Sequence, residues 1–112
     1  MAVPKFDSFE AFWPYYLQEH RLASTRWVHW VGTNGVLLVI VVCLVSMRPW
    51  WILLFGPLCG YGFAWFSHLF IEKNRPATFT YPRWSLMADF KMWVLMWTGR
   101  LKPELQRAGV AA

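Results

Sequence analysis

Two uncharged apolar stretches organise this chain. From Trp27 to Met47, 21 residues run without a formal charge, and Val36 to Val45 is almost purely aliphatic. From Pro49 to Ile71 a further 23 residues are uncharged. About 20 such residues cross the hydrocarbon core of a bilayer as a helix, so each stretch is long enough to span, the second with some tilt. Only a few residues around Met47–Trp50 connect them, with Arg48 the lone charge and Pro49 a helix stop, which requires a tight antiparallel turn. Transmembrane helices are therefore expected over 25–47, with Ser24 and Thr25 available as caps, and over 50–71. Gly56 and Gly60 form a GxxxG spacing that lets a second helix backbone come close, although glycine is also simply frequent in membrane helices. Pro57 should bend the second span.

Shorter amphipathic stretches flank this hairpin. Asp7 followed by Glu10 resembles a capping box. After it Phe9, Phe12, Trp13, Tyr16 and Leu17 recur at helical spacing, so a helix over 7–23 would present one apolar face, with Pro14 a kink or a fresh start. It is too short and too charged to span and should lie in the membrane interface. Following the polar run Glu72 to Ala77, Thr80 and Pro82 read as the start of a last helix over 82–98, stopped by Gly99. Asp89, Lys91 and Arg100 interrupt its apolar residues, which suggests a second interfacial helix rather than a third span. The expected fold is all-α: one domain over 1–112, an integral membrane hairpin with an amphipathic helix at either end.

Composition supports this picture. Hydrophobic residues make up 57% of the chain and charged residues 15%, against about 25% charged in an average soluble domain. Nine Trp favour a membrane boundary, where an apolar ring meets water at its N–H. The net charge of +5 is scattered around the apolar runs, which fits anionic lipid heads and argues against nucleic acid. Arg21 and Arg26 precede the hairpin and Lys73, Arg75 and Arg83 follow it, so the positive-inside rule puts both termini in the cytoplasm. Asp7 and Glu10 fall where the apolar core of a cleavable signal would be, so the spans are expected to be permanent. Cys43 and Cys59 lie inside apolar runs with no zinc or CxxC spacing and read as packed or lipid-facing thiols.

The histidines change the picture from architecture to chemistry. His29 opens the first span and His68 nearly closes the second. Each lies 19.5 residues from the centre of the turn between Arg48 and Pro49, so an antiparallel hairpin with equal rise puts both at one depth. His20 would face away in one straight helix, but a break near Arg21–Ser24 would fold it back to join them. Glu72 follows His68 by four residues, Thr33 follows His29 by four, and Glu19 and Asp89 are further carboxylates within reach. Imidazoles with a carboxylate suit iron or zinc, and an open position would permit O2 or water chemistry. Chance placement of interfacial histidines accounts for the same spacing. Arg21, Arg26 and Arg75 could hold a carboxylate or phosphate head, and Asn74 and Arg75 could equally be plain loop residues.

The motif His20-x5-Arg26-x2-His29-x2-Gly32, then Gly60-Tyr61-Gly62 leading to His68-x3-Glu72 and Pro76-Ala77, resembles the short bacterial branch of the 2-hydroxy fatty acid dioxygenase family. The resemblance runs from Phe9 to Leu101. It implies an Fe(II)-dependent dioxygenase of the bacterial inner membrane that shortens a long-chain 2-hydroxy fatty acid by one carbon in α-oxidation, using O2. His20, His29 and His68 match the family's histidines and would be iron ligands. Glu72 matches its acidic position, as a fourth ligand or as a partner of a histidine, and Arg26 or Arg75 would hold the substrate carboxylate. Zinc is the alternative metal. A haem held between His29 and His68, or a non-catalytic assembly factor, are the alternative functions. Two spans alone would hardly enclose a long acyl chain, so a homo-oligomer is expected.

Overall fold

The computed structural model describes residues 5–74 and 80–110. Among them the chain is entirely helical: α1 (Phe9–Gln18), α2 (Ala23–Val45), α3 (Ile52–Phe66), α4 (Pro82–Thr98) and α5 (Leu101–Arg107). A 3-10 turn, Pro49–Trp51, leads into α3, and a π-helical turn, Ser67–Glu72, continues it. Two helical segments, Ala23–Val45 and Pro49–Glu72, are long and apolar enough to cross a membrane.

Local chemistry sets the helix ends. Ser8, rather than Asp7, caps α1: its hydroxyl accepts the Ala11 amide at 3.2 Å, so the expected capping box is not what starts this helix. The helix stops at Gln18, earlier than residue 23, because the chain turns sharply through Glu19–Leu22. α2 starts at Ala23, so Ser24 and Thr25 lie inside its first turn and Leu22 occupies the cap. Tyr81, not Thr80, precedes α4, with Pro82 as its first residue, where a missing N–H costs nothing. Gly99 ends α4 at φ 68°, a left-handed conformation that only glycine adopts without penalty. α5 follows directly, a helix that the sequence pattern did not announce.

α2 and α3 pack antiparallel at close range. A Cβ on Gly32 would fall 2.8 Å from Phe63 Cβ, one on Gly35 would fall 2.6 Å from Cys59 Sγ, and one on Gly60 would fall 3.0 Å from Val36 Cγ2. The close approach therefore runs through Gly32, Gly35 and Gly60. Gly56 takes no part: a Cβ there would meet only Ile52 of its own helix, at 3.7 Å. The expected GxxxG pair contributes one of its two glycines to the helix contact.

The principal core lies elsewhere. Phe12, Trp13, Tyr16 and Leu17 of α1 are buried against Ala88 and Met92 of α4 and Leu101 and Leu105 of α5. The apolar face of α1, expected to meet lipid, is thus covered by protein. α4 also lies along α2, where Trp93 Nε1 donates to Asn34 Oδ1 at 3.1 Å and the Trp30 and Trp97 rings are 5.1 Å apart. The far halves of α2 and α3 have no such cover, and Leu38, Val41, Leu54 and Leu58 are each more than half exposed.

Gly32→Leu should lower helical stability in detergent by about 1–3 kcal/mol, the usual cost of forcing bulk into a packed contact. Gly62→Ala, where nothing lies within 4 Å of the added carbon, should be neutral or slightly stabilising. Circular dichroism through a denaturant or thermal series checks both; equal behaviour of the two variants would refute the glycine-mediated contact.

Candidate metal centre

The sharp turn after α1 brings His20 into contact with both long helices. Arg26 builds this turn: its Nη1 donates to the carbonyls of His20 at 2.8 Å and Arg21 at 2.9 Å. Glu72, at the end of the π-helical turn, accepts the backbone N–H of Leu22 and fastens the other side. Both residues matched ligand or substrate positions in the sequence; the structure places them as braces of the segment that carries His20. Arg75 and the Pro76-Ala77 pair lie outside the described residues.

With the turn so held, His20, His29 and His68 converge. Their side chains are 1%, 6% and 2% exposed. The His20 ring lies 4.4 Å from each of the other two, centroid to centroid, and those two are 5.2 Å apart. One nitrogen from each can be chosen so that all three lie within 4.8 Å of one another. The expected shared depth of His29 and His68, and the folding back of His20, are both realised.

Hydrogen bonds on the outer side of two rings fix which nitrogen faces inward. His20 Nδ1 is 2.7 Å from the Tyr16 carbonyl, which can only accept, so Nδ1 carries the proton and Nε2 is bare. His68 Nδ1 is 2.7 Å from Asn74 Oδ1. The amide orientation of Asn74 is set because its Nδ2 donates to the Glu19 carbonyl at 2.9 Å and to Glu19 Oε2 at 2.6 Å. His68 therefore also turns a bare Nε2 away from its anchor. On His29, Nδ1 lies 3.6 Å from Asp89 Oδ1, too long for a hydrogen bond but with the acceptor on the same outer side. His29 Nε2 is then 3.1 Å from His20 Nε2.

His29 makes no outer hydrogen bond on Nδ1, so its Nε2 is free to carry the proton that the bare His20 Nε2 accepts. Either one proton or one cation must sit between them. A first-row metal with nitrogen bonds of about 2.1 Å separates its ligands by roughly 3 Å, so the spacing suits an ion directly. Burial, reinforced by the neighbouring histidines, pushes the His20 imidazole well below its ordinary pKa, so the ring is neutral and able to act as a ligand at physiological pH. Outer acceptors on ligand histidines are the usual way a protein orients them. The donor set fits a metal ion, and His20, His29 and His68 could hold one. Glu72 is not among the mutually close donor atoms. The haem alternative meets a steric obstacle, because His20 lies against both rings that would have to sandwich the macrocycle.

Asn74 and Asp89 were underrated by the sequence. Asn74 follows His68 by six residues, a spacing that returns to the same face only through the π-helical turn. That turn closes with the Asn74 N–H on the His68 carbonyl at 2.8 Å and with Lys73 at φ 60°. Asp89 sits on a helix remote in sequence, accepts the Tyr16 hydroxyl, and faces His29.

A groove runs up against His29. It encloses about 320 Å³ between α2, α3 and α4, with His29 and Asp89 at one end and Ile52 and Leu53 at the other. Between them its walls include Thr33, Val36, Gly56 and Gly60. One chain supplies all three walls.

The architecture is all-helical among the described residues, with two helices long and apolar enough to span a bilayer and a buried cluster of three histidines that could hold a metal ion. The chain belongs to the Mpo1-like family, described as 2-hydroxy-palmitic acid dioxygenase Mpo1-like, whose pattern matches residues 6–101. No curated protein and no solved structure matches it.

Burial pushes the Asp89 carboxyl up to about 7, the Tyr16 hydrogen bond opposing it. A folded-state value above the unfolded one, about 3.9, means that folding loses stability as pH rises from about 4 to about 7. Asp89→Asn cannot ionise and escapes that loss. In chelator, the variant should therefore gain on the parent by on the order of 1–3 kcal/mol between pH 4.5 and pH 8. Thermal unfolding across that range tests this; a difference independent of pH would contradict it.

Proposed function

We propose that this chain is a membrane-embedded, Fe(II)-dependent dioxygenase that shortens long-chain 2-hydroxy fatty acids by one carbon. The observation that carries the reading is the inward convergence of three buried imidazoles at the mouth of an apolar groove. Family membership supplies the substrate class. The uncovered apolar surfaces of α2 and α3 support a hairpin across the bilayer, because patches of this extent on a protein surface favour lipid over water. The reading puts α1, α4 and α5 at the cytoplasmic boundary, with Arg21, Lys73 and Arg83 near anionic lipid heads.

His20, His29 and His68 would hold the iron, leaving further positions for O2 and for the substrate. Bound Fe(II) would supply the redox chemistry that activates O2, which imidazole and carboxylate side chains cannot do. The protein's own share is placement. Tyr16, Asn74 and Asp89 orient the three imidazoles from outside. Arg26 and Glu72 brace the turn that carries His20. The positive charge of Arg26 beside the centre favours an anionic head group at the groove mouth, with Arg75 a second candidate for that role. The acyl tail extends along the groove, which sets the C1–C2 bond next to the centre and keeps bulk water away. The stoichiometry closes without an outside reductant: a 2-hydroxy acid and one O2 give the acid one carbon shorter, carbon dioxide and water.

Protein purified anaerobically and loaded with Fe(II) should bind about one iron per chain and convert 2-hydroxyhexadecanoate to pentadecanoate with matching oxygen uptake. His29→Ala and His68→Ala should each lose iron and at least about a hundredfold of activity, while Glu72→Gln keeps most of its iron. Iron content unchanged in the histidine variants would remove the reading. Full activity with zinc in place of iron would reassign the metal and the chemistry.

A further inference from the structure

Gly56 is a glycine that the helix contact does not explain. It is buried, yet a Cβ added to it would lie within 4 Å of no atom of α2 or α4. Gly60, one turn away, is needed for the close approach to Val36. Both line the groove, as does Ile52, and the three residues repeat every four positions along one face of α3. The missing side chain at 56 therefore keeps open the part of the groove farthest from the histidines. From Ala64, one turn before His68, the lining follows α3 for about 12 Å to Gly56 and about 18 Å to Ile52, at the helical rise of 1.5 Å per residue.

We propose that Gly56 is a specificity-determining position: it admits the end of the substrate's acyl chain, and Ile52 and Leu53 close the groove beyond it. This inference rests on the proposed function for the identity of the head group. Three observations commit the groove to a substrate tail. It runs up against His29, one of the three clustered histidines, its polar residues gather at that end, and the remainder is lined mainly by apolar side chains and glycine. A phospholipid chain entering from the bilayer has the same chemistry as the tail, so the test separates the two sources.

The test reads binding, independently of turnover. Metal-loaded protein in lipid nanodiscs is photolabelled with a 2-hydroxy fatty acid carrying a diazirine near its methyl end, and the labelled residues are located by mass spectrometry. Label is expected within 52–57, displaced by unlabelled 2-hydroxyhexadecanoate. Gly56→Leu should weaken competition by 2-hydroxyhexadecanoate at least about tenfold and that by 2-hydroxyoctanoate by less than about twofold, the discrimination that a blocked apolar pocket gives. Ile52→Ala, which deepens the groove, should shift the preference toward longer chains, and it keeps the proposal testable if the leucine variant does not fold. Equal weakening for both chain lengths, an unchanged profile in both variants, or label outside 52–57 would overturn the proposal. So would labelling of 52–57 by a diazirine phospholipid that 2-hydroxyhexadecanoate does not displace. Failure of the proposed function is distinguishable, since it appears as absent oxygen uptake in protein that still binds these acids by length.

Discussion

Three imidazole nitrogens facing one point in a site shielded from water are an electrostatic problem before they are a catalytic opportunity. Two of the rings are held from outside by a hydrogen-bond acceptor on Nδ1, which turns their bare Nε2 atoms inward. A cation bound among them would engage all three rings at once. Because His20, His29 and His68 come from the turn after α1, from α2 and from the π-helical end of α3, an ion bound there would tie three separate elements together. Binding of this kind adds to folding free energy, since the unfolded chain offers no such arrangement. The remaining polar groups near the centre make sense in that light. Tyr16, Asn74 and Asp89 stand behind the rings, and Arg26 and Glu72 hold the turn that would otherwise let His20 swing away.

Much of this was legible in the chain. Two long uncharged runs separated by Arg48-Pro49 gave the long helices to within a few residues, because periodicity and charge are local properties. The shared depth of His29 and His68 followed from counting outward from the turn. The folding back of His20 required only that the first helix break, and it does so at Glu19–Leu22. What sequence could not supply was long-range packing. The aromatic face of α1 has the pattern of an interfacial helix, and the pattern does not say whether lipid or α4 will cover it. Asp89 reaches His29 only because α4 lies against α2. Asn74 reaches His68 only because a π-helical turn changes the register by which faces are counted. Arg26 and Glu72 had the right residue types for a site, and their partners, backbone groups of Leu22, His20 and Arg21, have no sequence signature.

The glycines show how one motif can hide two physical roles. Gly32, Gly35 and Gly60 permit close contact: an added Cβ would clash with the facing helix at the first two and press tightly on Val36 at the third. Gly56 keeps a space empty. The Gly56–Gly60 spacing suggested a single helix-packing device, whereas the packing surface draws two of its three glycines from α2 and the groove draws Gly56 from α3. A pattern defined by small residues records only that bulk is excluded. It does not say whether protein or a ligand occupies the space.

On the proposed reading, the position of the centre would let so small a chain act on so long a molecule. A soluble enzyme must enclose an acyl chain, which takes a large core. Here the proposed bilayer placement already surrounds the outer faces of α2 and α3 with hydrocarbon, and the groove need only hold one flank of the tail and fix the head. Polar chemistry is gathered at the end where α1, α4 and α5 pack their aromatic core, while the far halves of α2 and α3 carry almost none. That division assigns rigidity to the end where three imidazoles must stay within a few ångströms of one another, and leaves adaptability to the end where the tail would lie. A fold that closed protein around the tail would gain enclosure and lose direct exchange with the membrane, where a substrate of this kind is stored.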